Sequence, residues 1–237
     1  MFPKSVFAEL LWFLSGSTMN QALEALGCKF WGRWCNEEDP RYIALCKRYG
    51  YPNGDFGPIY GFQLRHFGAT YVNGLSNYHG QGFDQLIYML DLLEHDPHSR
   101  RNLFSLWNPA QLPMMALPPC HYTYQVLVDG NKTLHGVLTQ RSCDFPVGVP
   151  ANVQFYSTLT RLFARHVGYK VGTFTHNTVD AHIYVNQVDA VEEYLARPKP
   201  GSPFFDLGND KFFGTTMDNF QVFDYNPEPV IVMPVSI

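Results

Sequence analysis

Residues 121–140 read HYTYQVLVDGNKTLHGVLTQ, and the reading of this stretch decides the fold. Tyrosine, valine, leucine and threonine crowd 121–128 and 133–140, the residue types that fit a pleated, half-buried surface. Asp129-Gly130-Asn131 between them supplies turn chemistry, so the two runs pair as a hairpin. Beyond the hairpin, 150–167 (PANVQFYSTLTRLFARHV) is long and apolar enough for a helix. A hairpin followed by a long helix is not the start of a regular βα alternation.

Working outward, 102–108 reads as a strand and 83–95 (FDQLIYMLDLLEH) has a clear helical period. Residues 6–14 (VFAELLWFL) suggest a buried helix around the single acid Glu9, and 17–28 continue with helix formers, Ser17 or Thr18 capping. The segment 36–60 is polar and rich in glycine and proline, therefore loop, with a helix near 40–48. Toward the other end come a short strand over 180–186, a helix over 187–196, and two short strands in the tail beyond 198. Strand and helix mix without regular alternation, which predicts the α+β class. No repeat or long linker interrupts 1–237, so a single domain is expected.

The composition narrows the function classes. Hydrophobic residues make up 46% of the 237 and charged ones only 16%, which supplies a core and excludes a disordered chain. Net charge is −4, so no basic face advertises a nucleic-acid polymer. No apolar run approaches about 18 residues, and no membrane partner is expected. Cysteines 28, 35, 46, 120 and 143 form no CxxC pair and no zinc spacing. Reduced thiols in a cytoplasmic setting follow, with no metal.

Several residues stand out chemically. Cys120 follows Pro118-Pro119 and precedes a strand, with His121 and Arg141 as candidate neighbours whose charge would favour a thiolate. Glu9 in an apolar helix needs a partner, water or a raised pKa, and a raised carboxyl suits proton transfer near neutrality. Arg100-Arg101 and Arg141-Ser142 are groups that grip a phosphate. Asn152 can read a uracil edge with its amide, although a helix cap is the stronger local reading. Phe30, Trp31 and Trp34 lie outside the main apolar runs and suit either stacking on a heterocycle or core packing. Each signal alone is weak: a structural role is the commoner fate of the thiol, the arginines, Asn152 and the aromatics, and for Glu9 the two readings weigh equally.

Taken in order, the segments resemble the thymidylate synthase family. The resemblance is carried by Glu9-Leu10-Leu11-Trp12-Phe13-Leu14, by Asp55-Phe56-Gly57-Pro58-Ile59-Tyr60-Gly61 with Arg65-His66-Phe67, and by Asp96-Pro97-His98-Ser99-Arg100-Arg101. It continues through Pro119-Cys120-His121, Gln140-Arg141-Ser142-Cys143-Asp144, Gly148-Val149-Pro150 with Asn152, Asp180-Ala181-His182-Ile183-Tyr184, and the closing Pro234-Val235-Ser236-Ile237. It implies a large mixed sheet covered by helices, one sheet face forming a homodimer interface. It also implies conversion of dUMP to dTMP with 5,10-methylenetetrahydrofolate as carbon donor and reductant, without nicotinamide or metal.

The resemblance carries roles onto individual residues. Cys120 would add to pyrimidine C6, with Arg141 favouring the thiolate and touching the phosphate. Glu9 would manage protons through water, and Tyr60 would help remove the C5 proton. Asn152 would select uracil, and His182 and Tyr184 would bond the sugar. Gln140, Ser142 and Asp144 lie in the substrate loop. Arg100 and Arg101 would reach the partner subunit's phosphate site. Phe30, Trp31, Trp34, Asp144, Gly148 and Ile237 would border the folate.

Two departures accompany it. Ahead of Glu9 stand eight residues with Lys4 as their sole cation, where the family usually carries a first strand and an arginine-bearing phosphate loop; truncation, a split gene or divergence would each account for the difference. Ala151 stands where the family commonly has a bulky aromatic beside the folate. The rival readings are a pyrimidine hydroxymethylase of the same family, and an impaired remnant that binds nucleotide without turnover.

Overall fold

The computed structural model describes residues 2–198, 201, 203–208 and 212–235. Ser236 and Ile237, the end of the expected closing tail, lie outside the described residues. The chain forms seven described helices and two sheets, the α+β class read from the sequence.

Helix α1 (Pro3–Ser15) is the internal strut. Pro3 sits in its first turn, where the missing N–H costs nothing and the fixed φ favours the helix. Val6, Phe7, Leu10, Trp12 and Phe13 are buried on several sides, so α1 is a core helix, and Glu9 stands half-buried among them. Gly16 ends it at φ 78°, its N–H returning to the Phe13 carbonyl.

Helices α2 (Asn20–Ala25), α3 (Pro40–Tyr49), α4 (Tyr60–His66) and α5 (Gln85–His95) follow. The expected helix over 17–28 is thus reduced to six residues. Met19 occupies its cap position without a side-chain bond, and Thr18 instead bonds Asp55 and Tyr71. Tyr71 and the Gly57 and Gly74 amides complete that cluster, so Asp55 binds three loops and neither Ser17 nor Thr18 caps. Helix α4 lies beyond the expected loop and carries Tyr60 at its start.

Strands β1 (Leu103–Ser105), β2 (His121–Val128) and β3 (Thr133–Asp144) pair antiparallel, and β4 (Lys170–His182) lies parallel to β3. The hairpin is as expected: Asp129 Oδ1 accepts from the amides of Asn131 and Thr133, and Lys132 takes φ 55°. Helix α6 (Gly148–Val167) forms the crossover between β3 and β4 and covers the inner sheet face with Phe155, Tyr156, Leu159 and Phe163. Gly136 permits that approach, since a Cβ there would lie 2.5 Å from Thr160 Oγ1 and from the Tyr124 hydroxyl.

Strand β4 differs most from expectation, running thirteen residues where only 180–186 reads as strand. Its sequence KVGTFTHNTVDAH mixes Phe174 and His176 toward α6 with polar residues on a face that no helix covers. Hydropathy alternation is thereby blurred. Helix α7 (Val188–Ala196) follows, and β5 (Phe204–Asp206) pairs with β6 (Gln221–Phe223) in a separate two-stranded sheet. There Phe205 and Phe220 close over Phe7 of α1, the latter ring stacked at 3.8 Å.

Candidate active site

Cys120 lies at the entrance to β2, next to a register shift between His121 and Thr123. Such an irregularity re-aims side chains at a strand end. Its carbonyl accepts from the Arg141 amide at 2.9 Å, and its own amide donates to the Tyr60 hydroxyl at 2.8 Å. Burial pushes the Cys120 thiol above its ordinary range, while the Arg141 charge and then the Tyr60 hydroxyl pull it down. The thiol is therefore protonated at rest near neutral pH, with a cation and a donor in place to favour the thiolate.

Arg141 is fixed rather than free. Its Nε donates to the Pro119 carbonyl at 2.9 Å and Nη2 to the Pro118 carbonyl at 3.1 Å, and the guanidinium lies 5.3 Å from the Trp107 ring centroid. Two of its nitrogens thus hold the loop that presents Cys120, leaving Nη1 to meet an anion. The two prolines before Cys120 are here acceptors for the arginine, a role their rigid backbone suits.

His121, expected beside the thiol as a second cation, does something else. Its ring is buried between Tyr60 (centroids 4.6 Å) and Phe155 (6.2 Å), and Nδ1 bonds the Tyr156 hydroxyl at 2.7 Å. Burial, and then the charge of His176, lowers its pKa to about 3, so it is neutral. Alternation along the strand turns neighbours to opposite faces, which is why adjacency to Cys120 misleads.

Glu9 enters from α1 below this floor. Burial raises its carboxyl to about 7, against the Trp31 Nε1–H that donates to it at 2.5 Å. Trp31 in turn meets Trp12, Phe13, Trp34, Phe56 and Tyr60 at ring separations of 5.4 to 6.3 Å. Trp31 is thus packed into the core, one of the two uses expected of it, and its indole N–H holds the acid. Trp34 is half-buried beside it, and Phe30 packs on Phe2 at 6.3 Å.

Asn152 stands inside α6, four residues past Gly148, and is not a cap. Its Oδ1 accepts from Gln140 Nε2 at 3.1 Å, and a Cβ at Gly148 would lie 3.6 Å from that same oxygen. Gln140 is 2% exposed, and its Nε2 also donates to the Ser142 carbonyl at 2.9 Å while Oε1 meets His176 Nε2 at 2.9 Å. Asp144 ends β3 opposite His182 of β4, and both its oxygens accept from Gln187 Nε2 at 3.2 and 3.1 Å. Gln187, fully buried, also donates to the Pro234 carbonyl at 2.8 Å, tying the tail to Asp144. His182 and Tyr184 pack edge to face at 4.9 Å beyond them.

The chain thus brings together Cys120, Arg141 and Tyr60, and independently Glu9 with Trp31, Gln140 with Asn152, and Asp144 with the tail. Arg100 and Arg101 lie exposed in the turn before β1, and among the described residues neither makes an ion pair. Among the described residues no cluster of His, Cys, Asp and Glu could hold a metal ion, and no helix is long and apolar enough to cross a membrane.

The family model described as thymidylate synthase matches residues 1–237. A thymidylate synthase of human herpesvirus 8 is 41% identical over 243 residues, covering all of this chain and 70% of that protein. The thymidylate synthase of Homo sapiens is 40% identical, covering all of this chain and 75% of that protein. That of Saccharomyces cerevisiae is 38% identical, covering all of this chain and 80% of that protein.

The chain belongs to the thymidylate synthase family.

Within that family frame, three residues that the sequence reading passed over, Gln187 and Tyr156 buried and His176 half-buried, hold the candidate site from behind. Gln187 holds Asp144, His176 bonds Gln140, and Tyr156 holds His121. Gln187 and His176 are polar residues placed where a helix begins and where a strand faces a helix, which is the one sequence signal each carries.

Proposed function

We propose that this chain methylates dUMP to dTMP, taking the one-carbon unit and the reducing equivalent from 5,10-methylenetetrahydrofolate and releasing dihydrofolate, with Cys120 as the nucleophile at pyrimidine C6. The observation that carries this reading is the setting of Cys120: a half-buried thiol with a pinned guanidinium and a tyrosine hydroxyl on its own backbone. The enzyme is a methyltransferase, as its family is.

In this reading the Cys120 thiol first loses its proton to water, the thiolate being favoured by Arg141; the Sγ–C6 bond then forms while the C5–C6 π pair moves toward C5 and O4, which makes C5 the carbon nucleophile. Arg141 holds charge near the sulfur and offers Nη1 to the nucleotide phosphate. Asn152 accepts from pyrimidine N3–H and donates to O4, the sense that suits uracil, because its oxygen already faces a donor in Gln140. Glu9, with its carboxyl near 7, takes up and returns protons at neutral pH. Tyr60 keeps its own proton, since burial holds its pKa far above the ordinary range, and its hydroxyl helps remove the C5 proton by hydrogen bonding to the water that takes it. His182 and Tyr184 bond the sugar, and Ser142 the phosphate.

The folate is the co-substrate bound beside Asp144, whose oxygens keep acceptor capacity beyond Gln187, with Trp34, Phe30 and Gly148 bordering it. The tie from Gln187 to Pro234 supports a tail that shields the site from water. Neither nicotinamide nor metal has a part. A homodimer is supported by the uncovered sheet face, where Leu127, Val137, Thr139, Thr175, Asn177 and Val179 line up. In that dimer Arg100 and Arg101 complete the partner's phosphate site. Five unpaired cysteines support work in the cytoplasm.

The hydroxymethylase reading is the less favoured, because the relatives near 40% identity carry the synthase name and Asn152 is oriented for uracil. Denaturing mass spectrometry after incubation with 5-fluoro-dUMP and methylenetetrahydrofolate tests the proposal. A covalent ternary adduct on the Cys120 peptide, absent in Cys120→Ser, is expected. No adduct, or one that survives the substitution, defeats it; 5-hydroxymethyl nucleotide with tetrahydrofolate from dUMP would replace it with the hydroxymethylase.

A further inference from the structure

The chain of amides behind Asn152 has a definite direction, and it can be followed from its one unambiguous group. The Ser142 carbonyl only accepts, so the Gln140 atom 2.9 Å from it is the NH2 group. The same nitrogen faces Asn152 at 3.1 Å, so the Asn152 atom there is the carbonyl oxygen, and its NH2 is turned outward. Gln140 Oε1 is left facing His176 Nε2 at 2.9 Å, so that imidazole nitrogen carries the proton. Burial lowers the pKa of His176, which keeps the ring neutral near pH 7 with its single N–H committed to Gln140.

Building on the role assigned above to Asn152, we propose that His176 is a specificity-determining positioning residue: by donating from Nε2 to Gln140 Oε1 it locks the amide chain in the sense that presents uracil recognition and rejects cytosine. His176 belongs to β4, in register with Leu138 on the inner face, whereas Asn152 belongs to α6, so two elements of the fold are coupled through one buried glutamine. A cytosine edge exchanges acceptor for donor, and Asn152 could serve it only by turning its amide over. The turned amide would set its NH2 against the NH2 of Gln140. Turning both amides would set Gln140 Oε1 against the Ser142 carbonyl and leave His176 facing a donor. Without the His176 proton, Gln140 Oε1 is a buried acceptor with no partner, and Gln140 gains by swinging away and releasing Asn152.

The test compares the full-length parent with His176→Phe, which keeps a ring and removes the donor, and His176→Gln, whose NH2 falls near the original Nε2 position. Dissociation constants for dUMP and dCMP are measured by calorimetry, and their ratio is the readout, because a fraction of misfolded protein cancels from it. The dUMP preference is expected to fall about tenfold in His176→Phe, the weight of one net hydrogen bond, and to stay within about twofold of the parent in His176→Gln. Thermal unfolding is followed in parallel, and a folded His176→Phe protein with the parent's ratio overturns the proposal. So does an equal loss in both variants, which would point to ring packing instead. Asn152→Ala separates the two levels of argument: if that variant keeps the parent's preference, the reading of Asn152 falls and takes the role of His176 with it. If Asn152→Ala loses the preference while His176→Phe keeps it, only the His176 inference fails.

Discussion

Glu9→Gln should make the chain more stable at alkaline pH while removing its turnover. Burial lifts the Glu9 carboxyl from an ordinary 4.5 to about 7. The folded state therefore holds this proton more tightly than the unfolded chain does. The associated stability is fully present below about 4.5 and is lost as pH rises through about 7. At about 1.4 kcal/mol for each tenfold in proton affinity, the cost of ionising Glu9 in place levels off at about 3 kcal/mol above neutrality. Glutamine occupies the same volume, keeps an oxygen for the Trp31 N–H, and never ionises. Its advantage over glutamate should thus grow by about 2.5 kcal/mol between pH 5 and pH 8, with any fixed difference in packing cancelling between the two. Urea unfolding of parent and variant at both pH values, at one protein concentration so that association is held constant, measures this. In a chain of this length the same quantity appears as about 5–10 °C in melting temperature. An advantage equal at pH 5 and pH 8 would refute the claim that Glu9 is a desolvated carboxyl with a raised pKa.

Other perturbations address the thiol and the tail. Arg141→Ala should push the Cys120 thiol further above its ordinary range and slow its alkylation by iodoacetamide at pH 8 several-fold, followed on the Cys120 peptide by mass spectrometry; an unchanged rate would remove Arg141 from thiol activation. Tyr60→Phe leaves the Cys120 N–H without its acceptor and should cost about 1–3 kcal/mol in urea unfolding, whereas a neutral substitution would mean that the bond contributes nothing. Gln187→Ala frees both Asp144 and the Pro234 carbonyl, so KM for the folate should rise more than KM for dUMP and the tail should be cleaved faster by protease; equal changes in both KM values would argue against the coupling.

The sequence made the hairpin, α5, α6 and α1 legible because each is local: a turn with Asp129, a helical period, an apolar run that buries itself. Strand β4 was legible only at its end, because its neighbours across the sheet, not its own residue pattern, make it a strand. Helix α4 was hidden by the glycines and prolines around it, which shape the Asp55 loop rather than prevent a helix. The same split runs through the site. Cys120, Arg141 and Asn152 could be named from motifs, but that Arg141 grips the Pro118 and Pro119 carbonyls, or that His121 turns to Tyr156, depends on which strand face each residue takes. One position of register decides that, and the shift beside His121 sits where sequence pattern is least informative.

The described geometry also explains why so many buried polar residues surround so few reactive ones. Asn152 is held by Gln140, Asp144 by Gln187, Arg141 by two proline carbonyls, and Cys120 by Tyr60 through its backbone. In the proposed roles Asn152, Asp144 and Arg141 each keep a lone pair or N–H for substrate, while the companion takes up other bonds of the same side chain. A side chain with both halves free would rotate, and a side chain with both halves used could not bind. Burial raises the carboxyl of Glu9 and the thiol of Cys120 together, so at rest near neutral pH the thiol is protonated and the acid is divided between its two forms. Arg141 then supplies the principal fixed charge near the sulfur, and a nucleotide phosphate is the natural group to meet it. On the proposed reading, catalytic charge is created when substrate arrives, in a site whose hydrogen bonds are already committed to one arrangement.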